Sequence, residues 1–291
     1  MNRTGPRLVA TALCACLVAL CTGRGALAQD KPRRHNVITH RNLAYVTGKD
    51  ADVRKHRLDV YQPHGVKNVP VLMMVHGGAW QHGGKIYNIL SGPAFAEAGI
   101  LTVSINYRLS RGTKHPAHIR DVARAFDWVK KHAADYGGDP NKVFITGHSA
   151  GGHLVALLAL NEKYLKEVGR SSDEIVGVIP VSGLYRVGAT SLIFKNTFDP
   201  DKASLIDASP EFHVDDKQPP FLIIYAQKDL PLLDIQAIGL ERALLAKKSP
   251  VQLMRAEDRN HLTIMLKMGT NDDPTTEAML DFIRKHTAAA K

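Results

Sequence analysis

With 291 residues, 44% of them hydrophobic and 23% charged, the chain can bury one large core and is too apolar to be disordered. Lys and Arg outnumber Asp and Glu by 38 to 28, for a net charge of +10, yet the basic residues are scattered and no arginine-rich helix or aromatic-interleaved stripe points to nucleic acid. All three cysteines, Cys14, Cys16 and Cys21, fall within the first 28 residues, so disulfides, thiol catalysis and cysteine-ligated zinc are excluded from the remainder.

Those first 28 residues have the layout of a cleaved export signal. Arg3 and Arg7 open it, an apolar stretch runs from Leu8 to Cys21, and Ala26-Leu27-Ala28 forms the small-x-small site before Gln29. The apolar stretch is too short for a membrane span. Leu13-Cys14-Ala15-Cys16 keeps a lipidation box as the alternative. The expectation is a secreted or periplasmic protein whose mature part, residues 29–291, is a single domain.

A hairpin-like region near 42–62 comes first. Pro70 to Val75 is a buried-strand run that opens directly into His76-Gly77-Gly78-Ala79-Trp80. A strand near 100–105 precedes an amphipathic helix from His118 to His132, with Ile119, Val122, Phe126 and Val129 on one face. Lys142 to Thr146 is the next strand, followed by Gly147-His148-Ser149-Ala150-Gly151 and an apolar helix over 152–160. Further strands lie near 175–181, 221–226 and 251–255. The last helix has Asp273 as N-cap and Pro274 in its first turn. Alternating strands and helices predict an α/β fold, a mostly parallel central sheet with helices on both faces. Residues 183–219 lack periodicity and form one insertion, a small lid that Leu192-Ile193-Phe194 would line.

The chemistry concentrates at strand ends. A serine in Gly-x-Ser-x-Gly, between a strand and a helix, sits on a turn so tight that side chains two positions away on either side would collide. The turn strains the serine backbone and lifts its hydroxyl clear of the sheet. Adjacent glycines after the 70–75 strand let backbone N–H groups face a ligand oxygen. Asp229 follows the strand at 221–226, and His261 follows the strand at 251–255. The chain order of oxyanion glycines, Ser, Asp and His matches the α/β-hydrolase arrangement.

On these residues the chain resembles the α/β-hydrolase esterases, especially the branch with bacterial carboxylesterases, feruloyl and acetyl-xylan esterases and kynurenine formamidases. The likeness covers nearly all of the mature chain. It includes Leu58-Asp59-Val60-Tyr61-Gln62-Pro63, Asn106-Tyr107-Arg108-Leu109, Asp121, Trp128 and Tyr136-Gly137-Gly138-Asp139-Pro140. The third glycine found after the histidine in the hormone-sensitive-lipase branch is Ala79 here. The family's usual glycine before the acid is missing from Ala226-Gln227-Lys228-Asp229, which leaves Asp234 as the alternative acid.

The resemblance implies a serine carboxylesterase with an α/β-hydrolase fold and no metal or organic cofactor. Ser149, Asp229 and His261 would be catalytic, with Gly77, Gly78 and Ala150 donating to the oxyanion; Trp80 reads as a packing residue or, as a substrate-binding candidate, as the border of the acyl site. The partner would be a small-molecule or carbohydrate-linked ester. Two other readings stay open: a formamidase-like amidase using the same residues, and a non-catalytic binding protein on the same fold. Asp229 also reads as the N-cap of a helix starting near Pro231. His148 and His153 read as structural parts of the elbow, and His115 and His118 as structural or surface residues rather than metal ligands.

Overall fold

The computed structural model describes residues 34–110, 112–188 and 192–289. The export signal read from residues 1–28, with its cysteines, therefore lies outside the described residues. Strands β1 (Val37–Ala44) and β2 (Arg57–Pro63) form the antiparallel hairpin expected near 42–62. Then follow β3 (Val69–Val75), β4 (Leu101–Ile105), β5 (Gly138–His148), β6 (Gly177–Val181), β7 (Phe221–Lys228) and β8 (Val251–Asn260). They join one sheet in the order β1-β2-β4-β3-β5-β6-β7-β8, antiparallel from β1 to β4 and parallel from β4 onward. β1 and β8 are its edges.

Strand alternation sends successive side chains to opposite faces, so each inner strand feeds two cores. Val71, Met73 and Val75 of β3 face one core, and Leu72 and Met74 face the other. The first core is closed by helices α2 (Ala117–His132), α3 (Ala150–Leu160) and α7 (Leu233–Ala246). The second is closed by α1 (Ser91–Glu97), α8 (Thr263–Lys267) and α9 (Pro274–Ala289). Each fully buried aliphatic or aromatic side chain stabilises this by roughly 1.5–3 kcal/mol. The helical expectation over 118–132 agrees to within a residue. The cap of α9 also matches, because Asp273 Oδ2 accepts the Thr276 N–H at 2.9 Å.

Helix α3 is buried along its whole length. A helix apolar on every side must be covered on every side. β5 and β6 lie under it, α2 beside it, and the 3-10 turn Pro210–His213 over it. That turn belongs to the insertion, which also contains the short helices α5 (Leu192–Lys195) and α6 (Lys202–Asp207). Between α3 and α5, α4 (Lys163–Lys166) supplies Lys163 and Tyr164, both donating to Asp207, which also accepts from His115 Nε2 at 3.0 Å. The insertion is thus tied to the body at its centre. The side chains of Leu192 and Ile193 lie outside the described residues; Phe194 packs against Trp80, ring centroids 6.2 Å apart.

The chain order reverses around β3. From β3 it steps outward to β4 over α1, then returns across β3 to β5 over α2, on the opposite face. Such a reversal opens a crevice at the carboxyl ends of the two central strands, where open α/β sheets bind ligands. The loops after β3 and β5 hold the glycine pair and Ser149. Among the described residues, no helix is long and apolar enough to cross a membrane.

Candidate active site

Ser149 sits between the end of β5 and the start of α3 with φ 55° and ψ −119°, in a left-handed region that non-glycine residues seldom occupy. The turn tolerates this because its flanks are stripped. A Cβ on Gly147 would lie 2.5 Å from the Gly151 carbonyl carbon, and one on Gly151 only 2.1 Å from the Val75 oxygen. The Ser149 N–H is tied to Val181 O at 2.9 Å. Ala150 is the first residue of α3, where the N–H has no intrahelical partner and the helix dipole is positive.

The loop after β3 lies against this turn. A Cβ on Gly77 would meet His148 O at 2.8 Å and Ser149 Cβ at 3.2 Å, so the main chain passes close to the serine only because that side chain is absent. The loop then curls through three consecutive positive φ values, 111° at Gly78, 53° at Ala79 and 58° at Trp80. Of the two readings of Trp80, the structure shows packing. Its side chain is 4% exposed, packs edge-on against His153 and Phe198, and donates from Nε1 to His153 Nδ1 at 3.2 Å. His153 in turn donates to Ala208 O at 2.7 Å. Trp80 therefore pins the glycine loop to α3 and the insertion rather than bordering an open acyl site.

Asp229 and His261 converge on the serine from β7 and β8. The Ser149 hydroxyl donates to His261 Nε2 at 3.0 Å, and His261 Nδ1 donates to Asp229 Oδ1 at 2.6 Å. Three more groups hold the carboxylate: Ser182 Oγ at 2.6 Å and the Ala226 N–H at 3.0 Å on Oδ2, and the Leu230 N–H at 2.8 Å on Oδ1. Burial pushes the Asp229 carboxyl up, but donation from His261, Ser182 and the two N–H groups outweighs it and holds the group at about 2. The carboxylate is thus ionised beside an imidazole whose Nδ1 must carry a proton. Asp234 is exposed in the first turn of α7. That helix begins at Leu233, so Asp229 is not its cap.

Two contacts had no counterpart in the sequence reading. Ser182, buried with φ 48° at the end of β6, fixes the acid. His148 donates from Nε2 to the main-chain oxygen of His261 at 2.7 Å. Burial lowers His148 to about 4, with the His261 charge adding to the effect, and burial lowers His153 to about 3, so both stay neutral at neutral pH. His118 and His115 are occupied structurally, at Ser110 Oγ (3.0 Å) and Asp207. Among the described residues, no group of three or more His, Cys, Asp or Glu side chains is disposed to hold a metal ion. An ionised acid, an oriented imidazole, a serine hydroxyl and a helix-end N–H in one line suit nucleophilic attack on a carbonyl.

Comparison with known proteins agrees with this geometry. The chain is 32% identical over 221 residues to a probable carboxylic ester hydrolase, LipM, and 34% identical over 212 residues to the esterase LipQ, both of Mycobacterium tuberculosis. These alignments cover 68% and 66% of this chain but 51% and 50% of the relatives, so the chain spans about half the length of the curated relatives it matches. Among solved structures, a truncated carbohydrate esterase from gut microbiota superposes with a TM-score of 0.73 at 21% identity, covering 89% of this chain and 99% of that one. Esterase B from Lactobacillus rhamnosis, inhibited by a tributyrin phosphonate, gives 0.74 at 21% identity over 90% of this chain and 88% of its own. At that identity the two likenesses establish the α/β-hydrolase fold. The BD-FAE family profile matches residues 58–244, from β2 into the last turn of α7, and the chain belongs to that family.

Proposed function

We propose that the protein is a serine carboxylesterase that hydrolyses short-acyl esters through an acyl-enzyme, with acetyl or feruloyl esters of plant carbohydrate as its leading natural substrates. The observation that carries this reading is the unbroken hydrogen-bond line Ser149–His261–Asp229. In the first half-reaction the Ser149 oxygen bonds to the ester carbonyl carbon while its proton passes to His261 Nε2. Asp229 stabilises the imidazolium that forms. The carbonyl oxygen, now negative, is met by N–H groups of Gly77, Gly78 and Ala150; loss of one such donor typically costs about 3 kcal/mol of transition-state stabilisation. The leaving alcohol takes the proton from His261. Water then attacks the acyl-serine with the same histidine as base, and the acid departs.

Two surface features support the substrate class. Among the described residues, nine of the fourteen exposed large apolar side chains lie just after the glycine loop, Asp229 or His261. They include Ile86, Ile89 and Leu90, then Leu230 and Leu232, then Leu262 and Leu266. Gly269, shortly after the third group, packs against Ser91 and Ala94, shortly after the first. Exposed apolar side chains on the segments that follow the site residues favour an apolar or aryl substituent. An open bowl of about 640 Å³ adjoins the glycine loop at Gln81 and is lined otherwise by Ser110, Gly112, Thr113, Lys114, Lys195 and Asn196, none of them a residue of the triad or of the oxyanion pair. That lining suits a hydroxyl-rich group. A feruloyl carbohydrate ester has both characters. The export signal read from residues 1–28 supports action outside the cytoplasm, and a mature chain starting at Met1 would refute that part.

A fluorophosphonate should label the wild-type protein at Ser149, and Ser149→Ala and His261→Ala should each lower turnover by several orders of magnitude. A panel of acetyl, butyryl, decanoyl and palmitoyl nitrophenyl esters, methyl ferulate, acetylated xylan and N-formylkynurenine tests the substrate. Highest kcat/KM on palmitoyl ester would sink the short-acyl claim, and a strong preference for N-formylkynurenine would replace the esterase reading by an amidase.

A further inference from the structure

We infer that His148 is a positioning residue for the base: it holds the main chain of His261 so that the imidazole stays within reach of Ser149. The inference rests on the reading of Ser149 and His261 as nucleophile and base, and goes beyond it.

His148 is the last residue of β5, one position before the serine. Its ring leaves the elbow sideways and lies over the His261 ring, centroids 4.6 Å apart and planes tilted by 46°. Its Nε2–H reaches the His261 carbonyl at 2.7 Å. On its other side, a Cβ built on Gly77 would stand 3.2 Å from His148 Nδ1 and 2.8 Å from its carbonyl oxygen. One residue therefore touches all three segments that must agree for the chemistry: the elbow, the glycine loop and the histidine loop.

The histidine loop needs such a tie. It follows β8, the sheet edge; Ile264 of α8 is buried in the second core and anchors the far side of the loop, but Leu262 and Leu266 are 57% and 54% exposed. The Asp229 bond to Nδ1 sets the rotation of the imidazole, but it acts on the ring and not on the backbone that carries it. Asn260 caps the turn by accepting from the Leu262 and Thr263 N–H groups at 3.0 and 2.9 Å, which shapes the loop internally without tethering it to the serine. The bond from His148 runs from the nucleophile's own strand to the base's own peptide. It sets the distance between them directly. Because burial keeps His148 neutral, it does so without placing a second cation beside the imidazolium that His261 becomes.

A matched pair of substitutions separates positioning from packing. His148→Gln keeps an N–H donor at the length of Nε2, and His148→Met keeps length and bulk without a donor. On nitrophenyl acetate, His148→Met should lower kcat ten- to a hundredfold with KM within about threefold, the scale expected when a reacting group is misplaced by about 1 Å. Fluorophosphonate labelling of Ser149 should slow by the same factor. His148→Gln should recover most of both rates, and the two variants should unfold at similar temperatures. The inference is overturned by a Met variant as fast as wild type. It is equally overturned if both variants lose the same activity along with thermal stability, since that pattern is packing. Wild-type protein that neither labels nor turns over any ester overturns the serine-esterase reading and this inference together, whereas normal labelling with an indifferent Met variant overturns this inference alone.

Discussion

Ser149 and His261 meet at 3.0 Å, but different forces bring them there. The serine stands at the centre of the molecule. Its turn is squeezed between Val75, Gly151 and Val181, and the helix that follows is buried throughout. The histidine comes from the sheet edge, keeps 20% of its side chain exposed, and is held by Asp229, with Ser182 behind that acid, and by His148. The serine's place is a product of apolar packing on every side, and the histidine's place depends more on a few directed polar contacts. Perturbing the first should appear as lost stability, and perturbing the second as lost rate from a protein that still folds.

The largest effect tests the polar side. Asp229→Asn should lower kcat roughly 10³- to 10⁴-fold, because an amide no longer selects the Nδ1–H tautomer, in a protein that still folds. Asp234→Asn, on an exposed first turn, should stay within about twofold in the same assay. A silent Asp229→Asn beside a crippled Asp234→Asn would break the comparison at its base. The packed side is tested by Gly151→Ala, whose new methyl would stand 2.1 Å from the Val75 oxygen. Chemical denaturation should show a loss of about 3 kcal/mol or more, the scale of a strained, overpacked core. Wild-type stability in that variant would mean the elbow is not fixed by the core.

The most gradual effect comes from pH. His76, His118 and His153 lie buried on the packed side, where burial lowers them to about 4, about 4 and about 3. Unfolded, each binds its proton near pH 6.5. Their contribution is therefore complete above that pH and is lost as pH falls from about 6.5 towards 4, by at most about 1.4 kcal/mol per pH unit per histidine. Asp229 adds its own loss only lower, between about 3.8 and 2. Urea unfolding at pH 7, 6 and 5 should show this decline, and a flat series would contradict it.

The strands, helix α2, the elbow helix and the cap of α9 were legible in the sequence because each carries a periodic or capping signal. The serine, acid and histidine were legible because each follows such a strand. Ser182 was not, since one serine after one apolar strand has no pattern, and its partner lies 47 positions away. For Trp80 the sequence offers packing or a pocket wall, since an aromatic residue beside a glycine loop suits both; the buried acceptor for its indole N–H on α3, 73 positions away, carries no pattern that would decide between them. The insertion resisted reading because its helices, four and six residues long, are too short to show a period. It is ordered instead by Asp207 and its partners on α4 and the loop before α2.

Strand β8 ends the sheet, and its outer row of peptide groups is unpaired by any other strand of the described chain. Such a row is a template on which another protein's strand can grow. Arg255, Glu257 and Asp258 are exposed along it, with Arg259 beside them tied to Asp273. An incoming strand would have to strip water from this mixed row of charges, which keeps the border closed to sheet extension. The guard stands immediately ahead of His261, so a strand added along this edge would lie against the segment that leads into the Ser149–His261–Asp229 line.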